Sequence, residues 1–95
     1  MSAYVIVDSH IKNLEAMQEY IDKVGATLEP HGGKPIIAGT NIEAIEGDWN
    51  PSRLVVVAFP SMDAAKAWYN SPAYQEILPI RTANTDDKII LVEGL

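Results

Sequence analysis

Six consecutive apolar residues, Leu54-Val55-Val56-Val57-Ala58-Phe59, restrict this chain more than any other segment. The run is rich in β-branched side chains and has no polar alternation, which is the pattern of a strand covered on both faces. It is bounded by Asp48-Trp49-Asn50-Pro51-Ser52, a cluster of turn formers, and by Pro60. A strand of this kind belongs at the centre of a sheet. The remaining elements must supply its neighbours and its cover.

Tyr4-Val5-Ile6-Val7 opens a first strand, stiff at χ1 and too short to read as a helix. Asn13 can cap a helix over 14–29, whose apolar positions Leu14, Met17, Tyr20, Ile21, Val24 and Leu28 keep helical spacing. Pro30 and Gly32-Gly33 end it. Pro35 to Gly47 reads as an irregular edge strand, with a bulge or bend expected at Gly39-Thr40-Asn41. After the central strand, Ser61 can cap a short helix through Trp68 and Tyr69. Ser71-Pro72 can start another through Tyr74 and Leu78, which Pro79 would kink or end. Lys88 to Glu93 is the last strand. The order is βαββαβ, so the expected fold class is α+β and ferredoxin-like. Its four-stranded antiparallel sheet has strands one and three in the middle, as a single domain over residues 1–95. One sheet face has helices to cover it and the other does not, so a homodimer is expected.

Seven Lys plus Arg against thirteen Asp plus Glu give a net charge of −6, a field that repels a phosphate backbone, and no basic cluster offsets it. Nucleic-acid binding is therefore not expected. Cysteine is absent, which removes disulfides, thiolate metal sites and thiol nucleophiles. No apolar run is long enough to span a bilayer, and the N-terminal residues lack the features of a secretory signal. The expectation is a cytoplasmic protein without membrane contact.

The chain as a whole resembles the family described as domain of unknown function 1330, within the dimeric α+β barrel superfamily. The likeness rests on Ala3-Tyr4, on Gly32-Gly33, and on Glu46-Gly47-Asp48-Trp49 with Pro51 and Arg53. It continues through Phe59-Pro60-Ser61, Ala67 to Tyr74, Arg81 and Val92-Glu93-Gly94. Leu14 departs from it, standing where a proline would be expected at the first helical position. The resemblance implies a homodimer whose two sheets form one barrel, with a cavity on the inner face of each. Members of the superfamily include cofactor-free monooxygenases, isomerases of small organic acids, haem enzymes and non-catalytic ligand sensors, so it implies no particular reaction.

Chemistry is expected where four strand termini share one end of the sheet: Asp8 and His10, Glu46 to Trp49, Arg53, and Lys88. Asp8 and His10 fall on one strand face with Tyr4. As catalytic candidates, His10 would act as a general base and Asp8 would fix its tautomer. Alternatively, Asp8 pairs with Arg53 or Lys88 across the ladder. Ligand-binding candidates are Tyr4, Trp49, Arg53, Tyr69, Tyr74 and Arg81. The aromatic residues would line an apolar pocket, and Arg81 would fork onto an anionic group. Arg81 could instead be paired internally, with Glu46, Glu76 or Glu93, and Trp68 and Tyr74 could be plain core. His10 and His31 lie at opposite ends of a strand spanning roughly 23 Å, so no metal site is expected, and no cofactor. Ser61 and Ser71 are adequately explained as caps.

Two readings follow. One is a homodimer that binds a small organic molecule with an anionic group in the cavity and acts as a cofactor-free enzyme. The other is a non-catalytic module for ligand sensing or protein interaction, with Arg81 locked in a salt bridge.

Overall fold

A computed structural model describes residues 1–95. The elements are β1 (Ala3–Ser9), α1 (Leu14–Leu28), a 3₁₀ turn (Glu29–His31), β2 (Lys34–Gly39), β3 (Arg53–Phe59), α2 (Met62–Tyr69), α3 (Pro72–Asn84) and β4 (Lys88–Glu93). The strands form one antiparallel sheet in the order β2-β3-β1-β4. The ferredoxin-like α+β architecture expected from the sequence is therefore present, with β1 and β3 central.

Each helix begins at the side chain that the sequence offers for it. Asn13 accepts from the Ala16 amide at 3.1 Å, Ser61 from Ala64 at 3.0 Å and Ser71 from Tyr74 at 3.2 Å. These bonds satisfy amides that have no partner in a first helical turn. Gly32 closes the turn after α1 with φ of 72°, a left-handed conformation that glycine adopts without steric penalty. A Cβ on Gly33 would come within 2.8 Å of the Phe59 ring and 2.9 Å of Leu28, so the chain can enter β2 against the core only without a side chain there.

Three local expectations are corrected. β2 stops at Gly39, and 40–52 form no strand. Its irregularity lies between Pro35 and Ile37 rather than at Gly39. The consequence is that Pro35 and Ala38 face the helices, while Ile37 takes the opposite face beside Val56. Finally, α3 does not end at Pro79 but runs on to Asn84. The last turn is held by its own side chains: Asn84 Nδ2 donates to the Ile80 carbonyl at 2.8 Å and Thr85 Oγ1 to the Arg81 carbonyl at 2.7 Å.

The core lies between the sheet and the helices and is built on Val5, Val57, Phe59, Ala65, Trp68, Tyr74 and Ile77. Trp68 centres it. Its ring lies 5.5 Å from Phe59 and 4.1 Å from Tyr74, and its Nε1 donates to the Thr27 hydroxyl at 3.0 Å. The other sheet face carries Ile6, Val56, Ile37, Ile90 and Val92 with no helix over it, and Ile90 is 59% exposed. No helix is long and apolar enough to cross a membrane.

Candidate functional site

α1 packs closely along α3 but only sparsely against the sheet, whereas α2 sits directly on β1 and β4. The gap under α1 is a cavity of about 220 Å³. Its floor comes from Val5, Val7, Val55 and Val57, and its roof from Met17, Tyr20, Ile21 and Val24. These are the inward positions of two strands and one helical stripe, so alternation on β1 and β3 and helical spacing on α1 together build the walls. The cavity lies on the helix-covered side of the sheet. The resemblance implied the opposite, barrel-facing side.

The polar groups of the cavity gather at the end where β1 finishes and β3 and β4 begin. Tyr20 and Tyr74 hydroxyls lie 2.8 Å apart, and Arg81 Nε donates to Tyr74 at 3.2 Å. The Arg81 Nη1 group donates to Asp87 Oδ2 at 3.2 Å, in a pair whose side chains are only 9% and 2% exposed. The other oxygen of Asp87 accepts from the His10 backbone amide at 3.1 Å. The result is a continuous chain of bonds, Tyr20, Tyr74, Arg81, Asp87, ending on the backbone just after β1. Burial, followed by the neighbouring Tyr74, pushes the Tyr20 hydroxyl well above its ordinary value of 10.0. For Arg81, burial works against the charge, but Tyr74, Tyr20 and Asp87 outweigh it, so the guanidinium is held more firmly charged than usual.

The raised Tyr20 value has a consequence at alkaline pH. The phenol ionises in the unfolded chain near pH 10.0 but resists ionisation in the fold. Its contribution to stability is thus complete below that pH and is lost progressively above it. Urea unfolding of the parent and of Tyr20→Phe should show the parent's advantage at neutral pH shrinking toward about pH 11. Parallel profiles for the two chains would exclude this.

The candidate residues from the sequence divide between several places. Arg53, Tyr74 and Arg81 line the cavity. Tyr4 and Asp8 project to the opposite sheet face, where Asp8 accepts from the exposed Trp49 Nε1 at 2.7 Å rather than pairing with Arg53 or Lys88. His10 is exposed beyond the end of β1, with Nδ1 3.2 Å from the Ser52 hydroxyl, so Asp8 and His10 do not form a hydrogen-bonded dyad. Tyr69 borders a separate void of about 200 Å³ beside α2, and Trp68 lies in the wall between the two spaces. Arg81 is paired within the chain, with Asp87 and not with a glutamate. No three His, Asp or Glu side chains converge to hold a metal ion.

Sequence reasoning missed Ser9, Tyr20 and Asp87. Tyr20 reads as one more apolar position of α1, and its hydroxyl partner is 54 residues away. Asp87 reads as a turn former, and only the fold brings it under His10 and Arg81. Ser9 faces the cavity in the strand position opposite Arg53, and alternation from Val5 and Val7 could have found it.

A two-layer ferredoxin-like unit with a mainly apolar cavity and one polar end defines the class of this protein. Within that class the chain belongs to the family described as domain of unknown function (DUF1330), whose model matches residues 2–95. No curated protein matches it in sequence. Among solved structures, a protein of unknown function from Rhodopseudomonas palustris superposes with a TM-score of 0.82 at 20% identity, covering 99% of this chain and 82% of that one. A dimeric ferredoxin-like protein of unknown function from Jannaschia sp. gives 0.69 at 16%, covering 99% and 100%. The cofactor-independent oxygenase SnoaB from Streptomyces nogalater gives 0.67 at 12%, covering 99% and 92%. At these identities the likeness is one of fold.

Proposed function

We propose that this protein is a homodimer in which each subunit binds a small, mainly apolar organic molecule in the cavity beneath α1. The observation that carries the reading is the cavity itself. It is apolar along its length, and its polar side chains converge at one end, which is how small-molecule sites combine burial with orientation. An engineered cavity of about 150 Å³ suffices for benzene, so about 220 Å³ is room for one substituted ring or a branched chain. The uncovered sheet face supports the dimer, since Ile37, Ile90 and Val92 are left in water by a single subunit. The Jannaschia relative described as dimeric is consistent with it.

Of the two modes of action, cofactor-free catalysis is favoured by the hydroxyl pair of Tyr20 and Tyr74, which as neutral phenols can donate a hydrogen bond to an oxygen of the ligand. His10 and Asp8 lie outside the cavity and take no part in this reading. The sensing reading is favoured by the occupied Arg81. Native mass spectrometry of protein purified gently from its own host tests the proposal. The expected result is a dimer carrying one releasable small molecule per subunit. A monomer, with no mass gained when small aromatic compounds are added, would overturn it.

A further inference from the structure

The two arginines of the cavity are in different electrical states. Arg81 is neutralised by Asp87, and its Nε is engaged by Tyr74. Arg53 lines the same cavity, half-buried at the start of β3, and has no carboxylate within salt-bridge distance. In a chain of net charge −6 with thirteen acidic residues, an unpaired guanidinium at a cavity is notable, because partners are plentiful. Two acids on neighbouring elements are committed elsewhere: Asp8 holds Trp49 on the other sheet face, and Asp87 uses both oxygens on Arg81 and His10.

Ser9 is the direct cross-strand partner of Arg53 and lines the cavity with it. Directly opposed Cβ atoms in an antiparallel pair lie roughly 4.5–5.5 Å apart, so one group of atoms can meet both side chains. The Ser9 carbonyl accepts from Ser52 Oγ at 3.1 Å, whereas the Ser9 hydroxyl forms no hydrogen bond to another side chain or to the backbone. A free fork of donors beside a free hydroxyl, above apolar walls, matches a planar anion with a hydrophobic body.

We infer that the cavity takes small carboxylic acids with an aromatic or branched apolar body, the carboxylate seated on Arg53 and Ser9. This rests on the proposed ligand-binding role of the same cavity. It moves the anion anchor from Arg81, where the sequence suggested it, to Arg53. Arg81 then becomes a positioning residue that holds the Tyr74 and Tyr20 hydroxyls over the ligand body. A single guanidinium in an acidic protein suits a monoanion better than a phosphate dianion.

The test is titration of the full chain with benzoate, benzyl alcohol and phenyl phosphate, followed by calorimetry and by NMR shifts of the cavity methyl groups. Benzoate is expected to bind and to shift Val5, Val7 and Val55. Loss of a charge-assisted bond weakens binding by on the order of 10- to 100-fold, so Arg53→Met should weaken benzoate by at least about tenfold and weaken benzyl alcohol by a clearly smaller factor. Arg53→Lys should retain part of the affinity, and Ser9→Ala should weaken benzoate by a smaller factor. Because the Arg53 side chain forms no ion pair with the chain's own carboxylates, its variants should fold. Benzyl alcohol binding as tightly as benzoate, with no response to Arg53→Met, would overturn the anchor and leave the cavity reading standing. Tighter binding of phenyl phosphate would overturn the carboxylate assignment. Failure of all three probes to shift the cavity methyl groups would overturn both the anchor and the ligand-binding reading.

Discussion

Asp87→Ala should cost the fold about 3–5 kcal/mol, the range found when one partner of a buried ion pair is removed. The loss exceeds the value of the bond because two groups are stranded together. The Arg81 guanidinium keeps its charge in a site where its side chain is 9% exposed, and the His10 amide loses its acceptor. Tyr74, still bonded to Arg81, would be pulled with it as the arginine seeks water. For a domain of this size each kcal/mol moves the thermal midpoint by about 4–8 °C, so the midpoint should fall by at least about 12 °C. Asp87→Asn keeps an acceptor for His10 and should lose less. In the double variant Arg81→Met, Asp87→Leu, no charge is left unpaired, and a substantial part of the loss should return. Differential scanning calorimetry of the four chains decides this. A drop under about 3 °C for Asp87→Ala would mean that the pair is not what closes this end of the cavity.

The same pair marks the limit of what local patterns can reveal. The run from Leu54 to Phe59 announces a central strand because its composition alone demands cover on both faces. Ser61 and Ser71 announce helix starts because a cap needs only the next three residues. The bulge was less legible. Glycine at 39 is the conventional place for one, yet the extra residue sits near Ile36, where Pro35 cannot donate to the ladder and the strand must swing Pro35 and Ala38 toward the helices. Pro79 failed as a stop signal because Ile77, Ile80 and Arg81 beyond or beside it are anchored by long-range packing and bonding, which outweighs one missing amide. The site is legible in the same proportion. Arg53, Tyr74 and Arg81 were visible as chemistry near strand ends. Asp8 and His10 were visible for the same reason, but strand alternation sends Asp8 to the opposite face from Val5 and Val7, and β1 ends before His10. Asp87 could not be seen at all, because its function depends on a contact across 77 residues.

Trp68→Ala should also cost about 3–5 kcal/mol, and here the consequence bears on what the protein can bind. Trp68 lies between the cavity under α1 and the void beside α2, together with Val5 and Ile89, which border both. Truncating it removes the contacts with Phe59 and Tyr74, leaves the Thr27 hydroxyl without its indole donor, and joins spaces of about 220 and 200 Å³. The surrounding sheet and α2 are rigid elements, so the space should stay open rather than collapse, and the cavity contribution to the loss should be large. An apolar molecule of the shape removed should then bind it. Indole is the direct probe, because its ring fills the vacated volume and its N–H can again meet Thr27. Stabilisation by a ligand reaches about 2.7 kcal/mol at a hundred times its dissociation constant, so saturating indole should restore a measurable part of the thermal midpoint of Trp68→Ala. It should raise the parent far less, because Trp68 already occupies that position. Equal shifts in the two chains would show that indole binds elsewhere. A selective rescue would show that the Trp68 ring is what separates the two spaces and that the volume it vacates stays open to an apolar molecule of its shape.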